Sequence, residues 1–177
     1  RILQEQGAEV IHLGHDRGVP EIVKAAIEED VQGIAVSSYQ GGHVEYFSYL
    51  LDLLREHGAG HIHVFAGGGG VITAAEIDLL HDRGVARVYS PADGQRVGLE
   101  GMIRHMLICC DHPTCSVLEQ LPTEFGRHSP QGVAQVISSL ENGIGTAMGE
   151  SLRGRLAAAC DGIIHCPVIG ITGTGGA

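Results

Sequence analysis

Basic residues are scarce in this chain. Lys and Arg number 11 against 21 Asp and Glu, giving a formal net charge of −10, and Lys24 is the single lysine. A nucleic-acid binder needs a basic stripe to displace condensed counterions, so that class is excluded, as is docking on an anionic membrane surface. Apolar residues make up 44% of the chain, but no run approaches the roughly 20 apolar residues of a membrane span. Five cysteines, an odd count, do not suit a disulfide framework and lead us to expect a reducing, cytoplasmic setting. No Ser/His/Asp constellation or nucleophile elbow is present.

Glycine, by contrast, is plentiful. There are 27 glycines in 177 residues, about twice the usual ~7%, and their placement follows the strand pattern. Four apolar runs rich in β-branched residues read as strands: Val10–Leu13, Gly33–Ser37, His61–Ala66 and Val85–Tyr89. Measured at Val10, Ile34, Ile62 and Val88 they lie 24, 28 and 26 residues apart. Helical stripes fall between and after them: Ile22, Val23, Ala26 and Ile27; Val44, Phe47, Leu51 and Leu54; Leu99, Met102, Ile103 and Met106. Strand and helix alternating at this period predict a parallel, doubly wound α/β sheet with right-handed crossovers.

A polar, glycine-rich loop follows each strand: residues 14–18, 38–42, 67–70 and 90–94. All fall on the carboxyl edge of such a sheet, which is where open α/β sheets hold ligands. Small residues there let a bulky ligand approach the backbone. Turn formation accounts for one or two glycines per loop, but four in succession at Gly67–Gly70 exceed that need.

Residues 111–166 lack a strand pattern. An irregular stretch with Pro113 and Pro122 leads to a helix carrying Val133, Val136, Ile137 and Leu140, ending at Asn142-Gly143, and to a second helix near 150–159. We read 1–110 as one domain, 111–166 as a helical linker, and 167–177 as the start of another domain. In that last segment an apolar run, 167–172, enters Gly173-Thr174-Gly175-Gly176-Ala177. Gly173 fits the first glycine of a P-loop and Thr174–Ala177 its four spacers, but no lysine follows. Arg1–Gln6 reads as the end of a helix stopped by Gly7, and the chain reads as a fragment of something longer.

Three stretches carry a family resemblance: Glu9–His15, Gly33–Phe47 and Val64–Ile72. They resemble the cobalamin-binding domain of acyl-CoA mutases, and most of all that of the fused mutases acting on isobutyryl-CoA. In those enzymes this domain precedes a linker, a P-loop GTPase chaperone and a substrate-binding barrel. The resemblance implies a flavodoxin- or Rossmann-like domain and adenosylcobalamin as cofactor. It implies radical interconversion of isobutyryl-CoA and n-butyryl-CoA, with GTP and Mg²⁺ bound by the chaperone. It also implies a homodimer when the protein is whole. The fragment alone is expected to be inactive, with no catalytic residue of its own.

The family signature is Asp-x-His-x-x-Gly, then Ser-x-Leu, then Gly-Gly. By resemblance Ser37 takes the serine role, Tyr39 replaces the leucine, and Gly67 and Gly68 take the glycine pair, with Gly69 beside them. Gly41, Gly42 and His43 face the same edge, and Ser90 and Pro91 are expected to close it. The resemblance also implies that Gly173, Thr174, Gly175, Gly176 and Ala177 belong to the nucleotide loop.

The cobalt ligand is unassigned. His15 reads His-x-x-Gly with Gly18, but Leu13 stands where an orienting aspartate belongs, and His15 lies only 22 residues before Ser37. The ligand is therefore expected upstream of Arg1, and the domain's first strand with it. Cys110 and Cys115 with His112 have a tolerable metal-ligand spacing and Cys160 and Cys166 with His165 a loose one, but neither pair sits on a recognisable knuckle. The alternatives are a non-enzymatic cobalamin carrier or sensor, a methylmalonyl-CoA mutase-type enzyme and, ranked last, a receiver-like domain.

Overall fold

A computed structural model describes residues 2–114, 121 and 129–160. Its elements run α1 (Ile2–Glu5), α2 (Val19–Glu28), β1 (Gly33–Ser37), α3 (His43–Glu56), β2 (His63–Gly67), α4 (Ala74–Arg83), β3 (Arg87–Tyr89), α5 (Pro91–Cys110), α6 (Pro130–Asn142) and α7 (Ala147–Cys160). The strands form a parallel sheet in the order β1-β2-β3. Ile34 sits opposite Val64, and Ala66 opposite Val88. The α/β class and parallel sheet agree with the sequence reading.

Side chains alternate across a strand, so each face has its own set. Ile34, Val64, Ala66 and Val88 face a core supplied by α2, α3 and α4, with Phe47, Leu50, Leu54 and Leu80 fully buried. Each such side chain contributes about 1.5–3 kcal/mol on burial. Gly33, Phe65 and Tyr89 lie on the other face, under α5. Phe65 stacks on Tyr89 with centroids 6.5 Å apart, and the Tyr89 hydroxyl donates to the Met102 carbonyl at 3.2 Å or meets His105 Nδ1 at 2.8 Å.

Two expectations are corrected. Val10–Leu13 is not a strand: residues 8–14 belong to no ladder. A parallel strand exists only by pairing, and no neighbour stands beside this segment among the described residues. The stripe assigned to α5 is also broken. Ile103 is buried, but Leu99 is 54% exposed, because Gly98 takes a non-helical conformation (φ 66°, ψ 177°) that kinks the helix and resets its phase.

The expected linker helices are present as α6 and α7, and α6 packs on α2. Asp30, in the turn before β1, takes a left-handed backbone (φ 48°). Its carboxylate accepts from Thr114 Oγ1 and Ser138 Oγ, both at 2.5 Å. One acidic side chain thereby ties residues on both sides of 115–128 to the sheet. Gly173–Ala177, expected to open a nucleotide loop, lie outside the described residues, as do Cys115, His165 and Cys166.

Candidate functional site at the carboxyl edge

Three loops converge where the strands end. Ser38 N donates to the Gly67 carbonyl at 2.7 Å, which extends the β1–β2 ladder one step past the strands. A Cβ on Gly68 would collide with the Ser38 carbonyl, and one on Gly69 would come within 3.0 Å of the Tyr39 ring. One on Gly70 would meet Pro91 at 3.2 Å. Gly69 and Gly70 also need positive φ, 57° and 93°, a backbone that β-carbon-bearing residues adopt at a cost. The glycine run is therefore required by close backbone approach at Gly68 and by chain geometry at the next two positions.

Gly41 and Gly67 differ from these. A Cβ at either would meet nothing within 4 Å, so both border open space at the ligand edge. Tyr39 is 68% exposed and its ring lies across Gly69. A broad, flat group can reach the backbone here without meeting a side chain.

His43 opens α3, after Gly42 in the left-handed conformation (φ 84°). Its ring is buried, and Nδ1 lies 3.0 Å from Ser38 Oγ. The hydroxyl held at this edge is therefore that of Ser38. Ser37, named from the sequence, ends β1 and is exposed. Sequence reasoning missed Ser38 because the His43 contact needs the loop's turn to form.

Ser90 has another partner. It caps α5: its hydroxyl donates to Asp93 Oδ2 at 2.9 Å and accepts from Asp93 N at 3.3 Å. Arg87 and Arg96 reach Asp93 Oδ1 at 2.5 and 3.1 Å. The Ser90 amide bonded to the carboxylate is the foremost cause, ahead of the Ser90 hydroxyl and the two arginines, that holds the Asp93 carboxyl well below the usual range. Ser90-x-x-Asp93 is a capping-box pattern, as is Thr73-x-x-Glu76, whose hydrogen bonds pull the Glu76 carboxyl down. Both were available in the sequence. Pro91 lies beside Gly70, while the Ser90 hydroxyl serves the helix.

His15 stands apart from these loops. Its side chain is 94% exposed, and Nδ1 lies 2.8 Å from the neighbouring Asp16. Among the described residues no three His, Cys, Asp or Glu side chains are grouped to hold a metal ion, and no helix is long and apolar enough to cross a membrane.

A parallel sheet with a glycine-walled carboxyl edge defines an α/β ligand-binding domain of the doubly wound class. The chain belongs to the B12-binding domain family, whose model matches residues 1–97. It is similar to the "Fused isobutyryl-CoA mutase" of Geobacillus kaustophilus, 54% identical over 189 residues, covering 100% of this chain and 17% of the relative. The same-named protein of Cupriavidus metallidurans is 55% identical over 181 residues, covering 100% of this chain and 16% of that one. The "Pivalyl-CoA mutase small subunit" of Xanthobacter autotrophicus is 37% identical over 89 residues, covering 50% of this chain and 58% of the subunit. The chain thus spans about a sixth of the length of its full-coverage curated relatives.

Proposed function

We propose that this chain is the cobalamin-binding part of an adenosylcobalamin-dependent acyl-CoA mutase of the fused isobutyryl-CoA type. The whole protein interconverts isobutyryl-CoA and n-butyryl-CoA, and a GTPase chaperone that uses GTP and Mg²⁺ serves it. The carrying observation is the extent of similarity. The fused mutases match through the linker to the end of the chain, whereas the pivalyl-CoA mutase subunit matches half of it. This extent favours the fused mutase over a free-standing carrier or sensor.

The edge suits a corrin ring and its nucleotide tail. Gly41 and Gly67 leave the space a planar group needs, and Gly68 lets the two loops close beneath it. His43 fixes the Ser38 hydroxyl, a polar contact for the tail, and Tyr39 shields the slot from water. When bound, adenosylcobalamin supplies radical chemistry through its cobalt–carbon bond. The protein's share is to orient and enclose it. The cobalt-ligating histidine lies outside these 177 residues: His15 projects into solvent and lacks a carboxylate at Leu13 to orient it as a ligand. Acyl-CoA binding, homodimerisation and the nucleotide loop at Gly173–Ala177 belong to the same proposal.

The test is an absorbance titration of the full-length protein with adenosylcobalamin. Binding should shift the corrin bands to the tail-displaced, histidine-ligated form. Gly67→Leu should abolish the shift and leave the circular dichroism spectrum unchanged, since the side chain enters open space. No shift with the unsubstituted protein, or an unaltered one with Gly67→Leu, overturns the assignment.

A further inference from the structure

A thiol, an imidazole and a phenol meet on the C-terminal half of α5. His105 and Cys109 stand four residues apart, so their side chains are neighbours on one face of the helix. Cys109 Sγ lies 3.8 Å from His105 Nε2. The other ring nitrogen, Nδ1, lies 2.8 Å from the Tyr89 hydroxyl, which in turn lies 3.2 Å from the Met102 carbonyl. Tyr89 belongs to β3 and stacks on Phe65 of β2. The imidazole is therefore oriented by the sheet as well as by its own helix.

Both Tyr89 contacts are satisfied at once in a single arrangement. A phenol has one proton, and a carbonyl can only accept. The Tyr89 hydroxyl therefore donates to Met102 and accepts from His105 Nδ1–H. Burial pushes the Tyr89 phenol up to about 12, so it keeps that proton at neutral pH. This tautomer leaves the Nε2 lone pair free to accept from the Cys109 thiol. A nucleophile beside a base, with the base oriented by a third group, is the arrangement that activates thiols.

The adjacent cysteine differs. Cys110 Sγ packs on Gly33, where an added Cβ would come within 2.7 Å of it, and burial pushes its thiol up. Among the described residues it has no imidazole beside it. His112 Nδ1 donates to the Cys109 carbonyl at 3.1 Å and holds the turn that carries both thiols. Cys109 is partly exposed and His105 exposed, so a small reagent can reach the first thiol.

We propose that Cys109 is a modification site for small hydroperoxides, with His105 as its base and Tyr89 as the residue that positions that base. The sulfur attacks one peroxide oxygen, so an S–O bond forms as the O–O bond breaks. The thiol proton passes through His105 Nε2 to the departing oxygen. The products are the sulfenic acid of Cys109 and an alcohol, or water when the reagent is hydrogen peroxide. Sulfur loses two electrons and the peroxide gains them. Cys110 cannot then close a disulfide while α5 stays folded. Adjacent Cα atoms are about 3.8 Å apart, and a disulfide needs about 4.4 Å or more. This site is separate from the glycine-walled edge, and the inference does not depend on the bound cofactor.

The test is hydrogen peroxide treatment of the full-length protein, without cobalamin, at pH 7. Sulfenic acid is trapped with a cyclic 1,3-diketone and located by mass spectrometry. Cys109 should label at least ~10-fold faster than Cys110, and His105→Ala should remove that advantage. Free imidazole added to His105→Ala should restore labelling at Cys109, which a merely structural role for His105 does not predict. Tyr89→Phe should slow Cys109 and leave Cys110 unchanged, whereas equal changes at both make Tyr89 a packing residue and overturn its role. Cys109 labelling no faster than Cys110, or undiminished in His105→Ala, overturns the site. Because cobalamin is absent, failure of the cofactor assignment leaves the result unaffected.

Discussion

The two faces of the sheet share three strands and differ in what covers them. One face is sealed by α2, α3 and α4, and its strand residues Ile34, Val64 and Val88 are at most 8% exposed. The other carries α5 over β2 and β3, while Ala35 of β1 and Ile108 of α5 remain exposed. Every crossover lying wholly within the described sheet places its helix on the sealed face. Stability in this chain is therefore concentrated on one side and around β2, and among the described residues the far edge of β1 is unpaired.

Substitutions sharpen that contrast. Phe47 is fully buried under the sealed face, and Phe47→Ala should cost about 3–5 kcal/mol, read as a fall in the urea midpoint of the full-length protein's unfolding transition for this domain. If the two faces contribute equally, truncating Ile108 will cost as much, and the asymmetry fails.

The α5 cap gives a pH-dependent effect of intermediate size. Asp93 is held below the usual carboxylate range in the folded state, so the unfolded chain binds its proton more tightly. Its stabilisation is therefore complete above about pH 4, the ordinary aspartate value, and is lost as pH falls through the lower folded value. Asp93→Asn should cost about 1.5–3 kcal/mol at neutral pH, with the deficit shrinking in acid. Denaturation at pH 7 and pH 3 measures this, and a constant deficit would show that the carboxylate's charge is irrelevant.

The smallest effect tests the kink. Leu99→Ala should change stability by no more than ~0.5 kcal/mol, whereas Ile103→Ala, one turn on and buried, should cost about 2–5 kcal/mol. Equal losses would mean that α5 runs through Gly98 with the regular phase its sequence suggests.

Much of this architecture is legible in the sequence. The run Gly33–Ser37 matches β1 residue for residue, because its apolar, β-branched pattern between helices leaves one reading. The α3 stripe was legible for the same reason, and Leu50 joins it only because the buried arc is wider than one row. Val10–Leu13 has an equally good strand pattern and forms none. Pattern states what a segment can pair with, and pairing needs a neighbour. The carboxyl-edge loops were legible through glycine. Their internal roles were not, since a Cβ collision at Gly68 and open space at Gly67 look identical in sequence.

Composition and periodicity alone determined the fold class, its parallel sheet and the loops at its carboxyl edge, because burial imposes a two-residue period on strands and a 3.6-residue period on helices. Tertiary structure alone decided which groups meet there. It paired the Ser38 hydroxyl with His43, gave the Ser90 hydroxyl to a helix cap, and left the far edge of β1 without a partner among the described residues. Each of these depends on which backbone lies within a few ångströms of which, and sequence spacing does not encode that distance.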